Sequence, residues 1–379
     1  MDAVSLPGVA SGTAHLSEVT PSALAALGVD GFTNTLELPD VRSACVLLID
    51  GLGAELLDEH AADAPTLTEL RAGTLHVGFP STTASGLAAI GTGVCSGEHG
   101  MVGYSFELGN HGVVNALRWN QHPYGEDLRD QLSPEEVQPL PTAFERAAGS
   151  GVGVSVVSSA AFGDSGLTRA VLRGSPYTGV HGVGDLVAAT ATALADGGYC
   201  HGYHADLDLL GHIYGPGSAA WRMQLRQVDR LVESLVEQLP PGSLLAVVAD
   251  HGMVAVDDSA VDADAIDELG HGVRAIGGEV RARYVYTEPG ALDDVRTAWR
   301  ETLGDRALVV ERDEAIEAGW FGTHVADHVV NRIGDLVVAT RGRSGILRRT
   351  VEPIESSLPG HHGSITPAEQ LVPLLLARG

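Results

Sequence analysis

The chain has 379 residues, 44% of them hydrophobic, and a formal net charge of -26. That length suits one large α/β domain carrying an inserted region, or two domains, with a sizeable core. The charge leaves no basic footprint for a phosphate backbone, which excludes nucleic-acid polymers as partners.

All 23 basic residues are arginine. Cys45, Cys95 and Cys200 are odd in number and lack Cys-x-x-Cys spacing, so they read as buried thiols and not as a disulfide framework. No apolar run is long enough to span a bilayer, so no membrane partner is expected. Met1 to Leu27 has neither the charged start nor the continuous apolar stretch of a secretory leader, and a cytoplasmic protein is expected.

In chain order, residues 1 to 40 read as a lead-in that packs on the body. Ala44 to Ile49 is a continuously apolar run that suits a buried parallel strand, and it ends in Asp50-Gly51. Leu75 to Phe79 reads as a strand that stops at Pro80, and Ala84 to Gly93 as a helix. Thr82 and Thr83 therefore sit where a strand hands over to a helix. The free amides and the dipole there favour an anion, so a hydroxyl at this point can cap the helix or attack a phosphate.

Residues 104 to 141 are polar and irregular, and a loop this long suggests a pocket wall, with Tyr104, Asn115, Trp119 and Asn120 as candidate substrate contacts. A helix from Pro141 to Ala148, a strand from Val152 to Val157 and a helix from Gly182 to Ala195 give the alternation of a mostly parallel sheet flanked by helices. After a strand at Tyr199 to Tyr203 come Asp208 and His212, four apart and so on one helical face, as a metal-ligand pair is held. Asp206 is the rival carboxylate, but its spacing to His212 points it elsewhere.

Ser218 to Gln238 is an amphipathic packing helix. Leu244 to Ala249 is a second buried strand, followed by Asp250-His251-Gly252-Met253. Asp250 and His251 can share a ligand only if the strand has ended, a turn that Gly252 makes easy. From Val254 to Leu358 the pattern changes to a strand (Glu279 to Tyr286), a helix (Ala291 to Leu303), a strand (Ala307 to Val310), a helix (Asp313 to Ala318) and a strand (Leu336 to Thr340). Residues 255–358 are thus expected to form an α+β cap inserted into a catalytic domain of residues 1–254 and 359–379. His361 and His362 follow on a glycine-flanked loop, read as exposed and free to coordinate, and Thr366 to Glu369 has capping-box spacing at a proline-started helix.

The candidates that want a common centre are Asp50, Thr83, Asp208, His212, Asp250, His251 and His362. Their oxygen and nitrogen donors suit zinc, and also manganese, and are too many for one tetrahedral ion. Two ions roughly 4 Å apart can clamp the attacking and leaving oxygens of a phosphoryl displacement.

The order of strand-Asp50, threonine before a helix, Asp208-x-x-x-His212 followed by Tyr-Gly-Pro, Asp250-His251-Gly-Met and a late His-Gly resembles the alkaline phosphatase superfamily, nearest to its nucleotide pyrophosphatase/phosphodiesterase branch. The likeness runs from about residue 44 to the C-terminus apart from the insertion. It implies one zinc on Asp208, His212 and His362 and a second on Asp50, Asp250 and His251, with Thr83 touching the second as nucleophile. It further implies attack on the phosphorus of a small, nucleotide-like diester or pyrophosphate, a phosphothreonine intermediate and hydrolysis by zinc-activated water. Thr83 is preferred to Thr82 by its distance to Thr92-Gly93, and His362 to His361 because it precedes Gly363.

The branch carries asparagines where this chain has Gly86 and Tyr104, so recognition of the phosphate departs from its pattern. The alternatives are a phosphomonoesterase, or a phosphonate or phosphosugar enzyme, for which Arg118 would supply the cation, and a non-catalytic metal-binding relative.

Overall fold

The computed structural model describes residues 12–379. The first eleven residues, on which the leader and lead-in readings partly rest, lie outside the described residues. Among the described residues no helix is long and apolar enough to cross a membrane.

The centre is a seven-stranded sheet. Its strands are β1 (Ser43–Ile49), β2 (Arg71–His76), β3 (Val154–Ser159), β4 (Tyr177–Val180), β5 (Gly198–His204), β6 (Ser243–Val248) and, after four strands described below, β11 (Leu371–Arg378), in the order β2-β11-β6-β1-β5-β3-β4. β1 pairs in parallel with both β5 and β6, and β3 with β5 and β4. Only β11 runs against its neighbours. Every residue of β1 and β6 is buried, which is why both read as unbroken apolar runs. The fold is thus the expected mixed α/β architecture with a mostly parallel central sheet.

Two helices carry the argument, α1 (Thr83–Thr92) and α2 (Asp206–Tyr214). A third, α3 (Ala219–Glu237), buries Trp221, Leu225, Val228, Leu231 and Leu235 along one stripe, and the Ser218 hydroxyl caps it by accepting from the Trp221 amide. Cys45 and Cys200 face each other in register on β1 and β5 as free thiols; Cys95 is only half-buried.

A second sheet of four antiparallel strands is drawn from residues 273–340: β7 (Val273–Glu279), β8 (Ala282–Thr287), β9 (Ala307–Glu311) and β10 (Leu336–Thr340), in the order β7-β8-β10-β9. The segment leaves and returns through one antiparallel pairing, Val254 with His361 and Ala255 with Gly360. That pairing draws His251, three residues before it, and His362, one residue after it, to the same place.

Several local expectations are corrected. The strand before the threonines stops at His76, because Gly78 has φ +76° and breaks the extended run. Residues 104–141 are not structureless: Ser105–Glu107, Val113–Asn115 and Asn120–Gln121 form a small antiparallel sheet, with a turn at Gly112. The strand read from Glu279 to Tyr286 is two strands of a hairpin, with Gly278 at φ +83° just before the turn.

His361 and His362 are buried, at 5% and 6% exposure, because the chain there is covered by the returning segment and by α2. Thr366 makes no capping bond; Glu369 is drawn instead to a buried arginine. β11 was not foreseen, since Pro373 argues against an interior strand. Pro373 faces Thr74 of β2, before pairing with β6 begins at Leu375, so its missing N–H costs no bond on that side.

Candidate metal centre

Ligands of open parallel sheets gather at the carboxyl ends of the strands, and here three of those ends converge. Asp50 follows β1, Asp208 and His212 lie on α2 after β5, and Asp250 and His251 follow β6. β6 has ended two residues before Asp250, which lets Asp250 and His251 turn to one site. The turn needs Gly252, where a Cβ would lie 2.0 Å from the Ala368 carbonyl oxygen.

The donor atoms form two adjoining clusters. In one, His212 Nε2 lies 3.2 Å from His362 Nε2 and 3.4 Å from an Asp208 oxygen, and His362 Nε2 lies 3.8 Å from the other Asp208 oxygen. In the other, His251 Nε2 lies 3.2 Å from Asp50 Oδ1, 3.8 Å from Asp250 Oδ1 and 3.3 Å from Thr83 Oγ1. His251 stacks on His362, ring centroids 3.6 Å apart, so it stands between the clusters.

The hydrogen-bond partners of the rings dictate where a neutral imidazole holds its proton. Each imidazole turns Nδ1 to a backbone carbonyl, which can only accept: His212 to Gly360 at 2.8 Å, His251 to Gly252 at 3.0 Å, His362 to Ser81 at 3.0 Å. Neutral rings so held carry the proton on Nδ1, leaving Nε2 lone pairs aimed at one another and at carboxylates. Asp50 Oδ1, Asp208 Oδ1 and Asp250 Oδ2 are buried without a hydrogen-bond partner. Such an arrangement of acceptors fits divalent cations, which would satisfy every orphaned atom together.

The electrostatics of the side chains point the same way. Burial, and then the Asp50 charge, holds the Asp208 and Asp250 carboxyls well above the usual carboxylate range. Burial opposes charge on His251, yet Asp250 and Asp50 outweigh it and raise the imidazole well above its ordinary value. His212 and His362 are pushed down, chiefly by burial. Negative charge is in excess here, and cations are what would balance it.

Thr83 is the first residue of α1, whose opening amides have no intrahelical acceptor, so the hydroxyl meets an anion-binding helix end. Thr82 points elsewhere, donating to Glu279 Oε2 at 3.1 Å. Gly86 packs α1 directly on the site: a Cβ there would fall 2.3 Å from Asp250 Cβ, so no asparagine fits. Gly86→Ala is therefore expected to cost about 1–3 kcal/mol of stability by overpacking and to weaken metal uptake, read by thermal unfolding with and without zinc.

Two functional groups escaped the sequence reading. Tyr203, at the end of β5, donates its hydroxyl to Asp50 Oδ2 and so orients that carboxylate. Tyr203→Phe should weaken metal affinity about tenfold with little change in the fold, measured by titration calorimetry. Glu279, on the β7-β8 hairpin, reaches the site from the second sheet, 3.6 Å from His362 Nδ1, with burial pushing its carboxyl up to about 8. Tyr203 looked like one more apolar strand residue. The Gly277-Gly278 pair before Glu279 was the available sign of a hairpin.

Two lobes open on the centre, sharing Thr83, Asp208 and His212. One of about 310 Å³ is walled by Leu87, Leu117, Phe162, Leu172 and Tyr203. The other, about 340 Å³, is walled by Tyr104, Arg118, Glu279, Glu352 and Glu355. Of the four expected substrate contacts, only Tyr104 lines a lobe, donating its hydroxyl to Glu355 at 3.0 Å. Trp119 is buried, its indole N–H on the Leu132 carbonyl. Asn115 caps the Leu117 and Arg118 amides, and Asn120 donates to the Gly125 carbonyl.

The sequence matches the type I phosphodiesterase / nucleotide pyrophosphatase family over residues 44–364. Human ectonucleotide pyrophosphatase/phosphodiesterase family member 7 is 42% identical over 65 residues, a stretch that is 16% of this chain and 14% of that protein. Among solved structures, an inactive variant of murine ectonucleotide pyrophosphatase / phosphodiesterase 5 in complex with AMP superposes with a TM-score of 0.67 at 16% identity, covering 89% of this chain and 88% of that one. Phosphonoacetate hydrolase from Sinorhizobium meliloti, in complex with phosphonoacetate, superposes with a TM-score of 0.65 at 19% identity, covering 90% and 91%. At these identities the solved structures establish a shared fold.

Proposed function

The chain belongs to the type I phosphodiesterase / nucleotide pyrophosphatase family, and from that premise we propose that it is a two-metal hydrolase of phosphodiester or pyrophosphate bonds in a small, nucleotide-like molecule. One ion would rest on Asp208, His212 and His362, the other on Asp50, Asp250 and His251. The observation that carries the reading is the set of facing imidazole Nε2 atoms and orphaned carboxylate oxygens, with the Thr83 hydroxyl 3.3 Å from His251 Nε2. When bound, such ions neutralise phosphoryl charge and lower the pKa of a nucleophilic oxygen.

In this reading Thr83 Oγ1 forms a bond to phosphorus as the bond to the leaving oxygen breaks, giving a phosphothreonine. Water then splits the phosphothreonine bond and restores the hydroxyl. The open amides at the start of α1 hold the charge that gathers on the equatorial oxygens. Residues 255–358, read as a cap, contribute Glu279, Glu352, Ile354 and Glu355 to the wall of the polar lobe, which supports a role in choosing the substrate.

A phosphonate or phosphomonoester substrate is the second reading. It is favoured by Arg118 in the wall of the polar lobe, a cation suited to an extra anionic group. Hydrolysis of bis-p-nitrophenyl phosphate against p-nitrophenyl phosphate, with zinc and then manganese, separates the two. A diester preference supports the first reading; a monoester preference replaces it with the second.

A further inference from the structure

We propose that Arg281 and Glu369 form a positioning pair that sets the loop bearing His362, and with it the metal centre, from the second sheet. The proposal rests on the metal-centre reading above.

Both side chains are fully buried. Arg281 grips Glu369 with a two-pronged fork, Nε to Oε1 at 2.9 Å and Nη2 to Oε2 at 2.7 Å, and its remaining Nη1 donates to the Ser344 carbonyl. Glu369 Oε1 also accepts from the Ser364 amide at 3.0 Å, and Oε2 from the Thr366 hydroxyl. The pair therefore has no unsatisfied oxygen.

A buried ion pair contributes little net stability compared with well-packed apolar residues, so its hydrogen-bond directions need another explanation. Those directions lead to the metal ligands. Ser364, held by Glu369, accepts at its carbonyl from the Ser81 hydroxyl at 2.8 Å, while Gly363 accepts from the Ser81 amide at 3.2 Å. The Ser81 carbonyl in turn receives the His362 Nδ1 proton. On its other side, the Glu369 backbone carbonyl accepts from the Gly252 amide at 2.9 Å, directly after His251. One residue thus registers the backbones that present His251, His362 and Thr83, and Arg281 aims that residue from the β7-β8 turn.

Outer partners of ligating residues govern affinity for the ion. The test is zinc titration calorimetry on metal-stripped protein, wild type against the double variant Arg281→Met with Glu369→Leu, which removes both charges and keeps the volume apolar. The expected result is a loss of about 10–100-fold in affinity for at least one ion, with the unfolding midpoint of the metal-free protein moving by only a few degrees.

Affinities within twofold of wild type for both ions would overturn the proposal, whatever the midpoint does. Should the double variant fail to fold, Arg281→Lys keeps the charge and loses the fork, and the same thresholds apply. A wild type that takes up no divalent ion would remove the metal centre itself, and the proposal with it.

Discussion

Thr83→Ala should lower kcat/KM on bis-p-nitrophenyl phosphate by at least about a thousandfold, while Thr82→Ala should cost no more than about tenfold. The adjacent hydroxyls have similar chemistry and opposite surroundings. Thr83 Oγ1 lies 3.3 Å from His251 Nε2, whereas Thr82 is the residue before α1 and spends its hydroxyl on Glu279. The Thr83 hydroxyl is bonded to His251 within the site and not to a group elsewhere in the fold, so the unfolding midpoint of metal-stripped Thr83→Ala should stay close to wild type. A variant that keeps full turnover would transfer the nucleophile's role elsewhere; equal losses in both variants would point to a structural cause.

If the two-ion reading holds, chelation should abolish activity and lower the unfolding midpoint by roughly 5 °C for each ion removed. An ion present at about a thousand times its dissociation constant stabilises by about 4 kcal/mol, and a chain of this length unfolds with an entropy of about 0.8 kcal/mol per degree. Asp250→Asn should reproduce the loss for the ion it holds. Asp250 is fully buried, and the amide supplies neither its charge nor its second acceptor.

The same gain should grow with pH, larger at pH 8 than at pH 5.5. In the metal-free protein Asp208, Asp250 and His251 have pKa values raised above those of the unfolded chain. Their contribution to stability is complete below the unfolded values and is lost as pH rises through the folded ones. His212 and His362 are lowered, so theirs is present above about 6.5 and lost as pH falls. As pH rises the protons that balance the carboxylates are held less firmly and compete less with cations for the same oxygens and nitrogens. Calorimetric scans at the two pH values, with and without zinc, would read the difference; an equal gain at both would mean that the ions do not displace protons from this site.

How much of this was open to a reader of the residues depends on the range of the interaction concerned. Buried parallel strands announce themselves, because β1 and β6 are covered on both faces and need apolar residues at every position. The pairing of Asp208 with His212 follows from helix geometry alone. The β7-β8 hairpin did not announce itself, since an alternating run keeps its period across a tight turn. β11 was hidden by a proline whose harmlessness depends on where a neighbouring strand begins.

By itself, then, the sequence determined the α/β class, the family and the order of the chemistry-bearing residues, because each is written in local periodicity or in short motifs. The tertiary structure alone decided that both late histidines are buried and that the Thr82 hydroxyl turns to Glu279. It also brought Glu279 and Arg281 to the site from a sheet whose strands lie far from the motifs in the chain. Those outcomes depend on contacts between residues some 90 to 280 positions apart, and no local pattern encodes which distant surface will cover a given side chain.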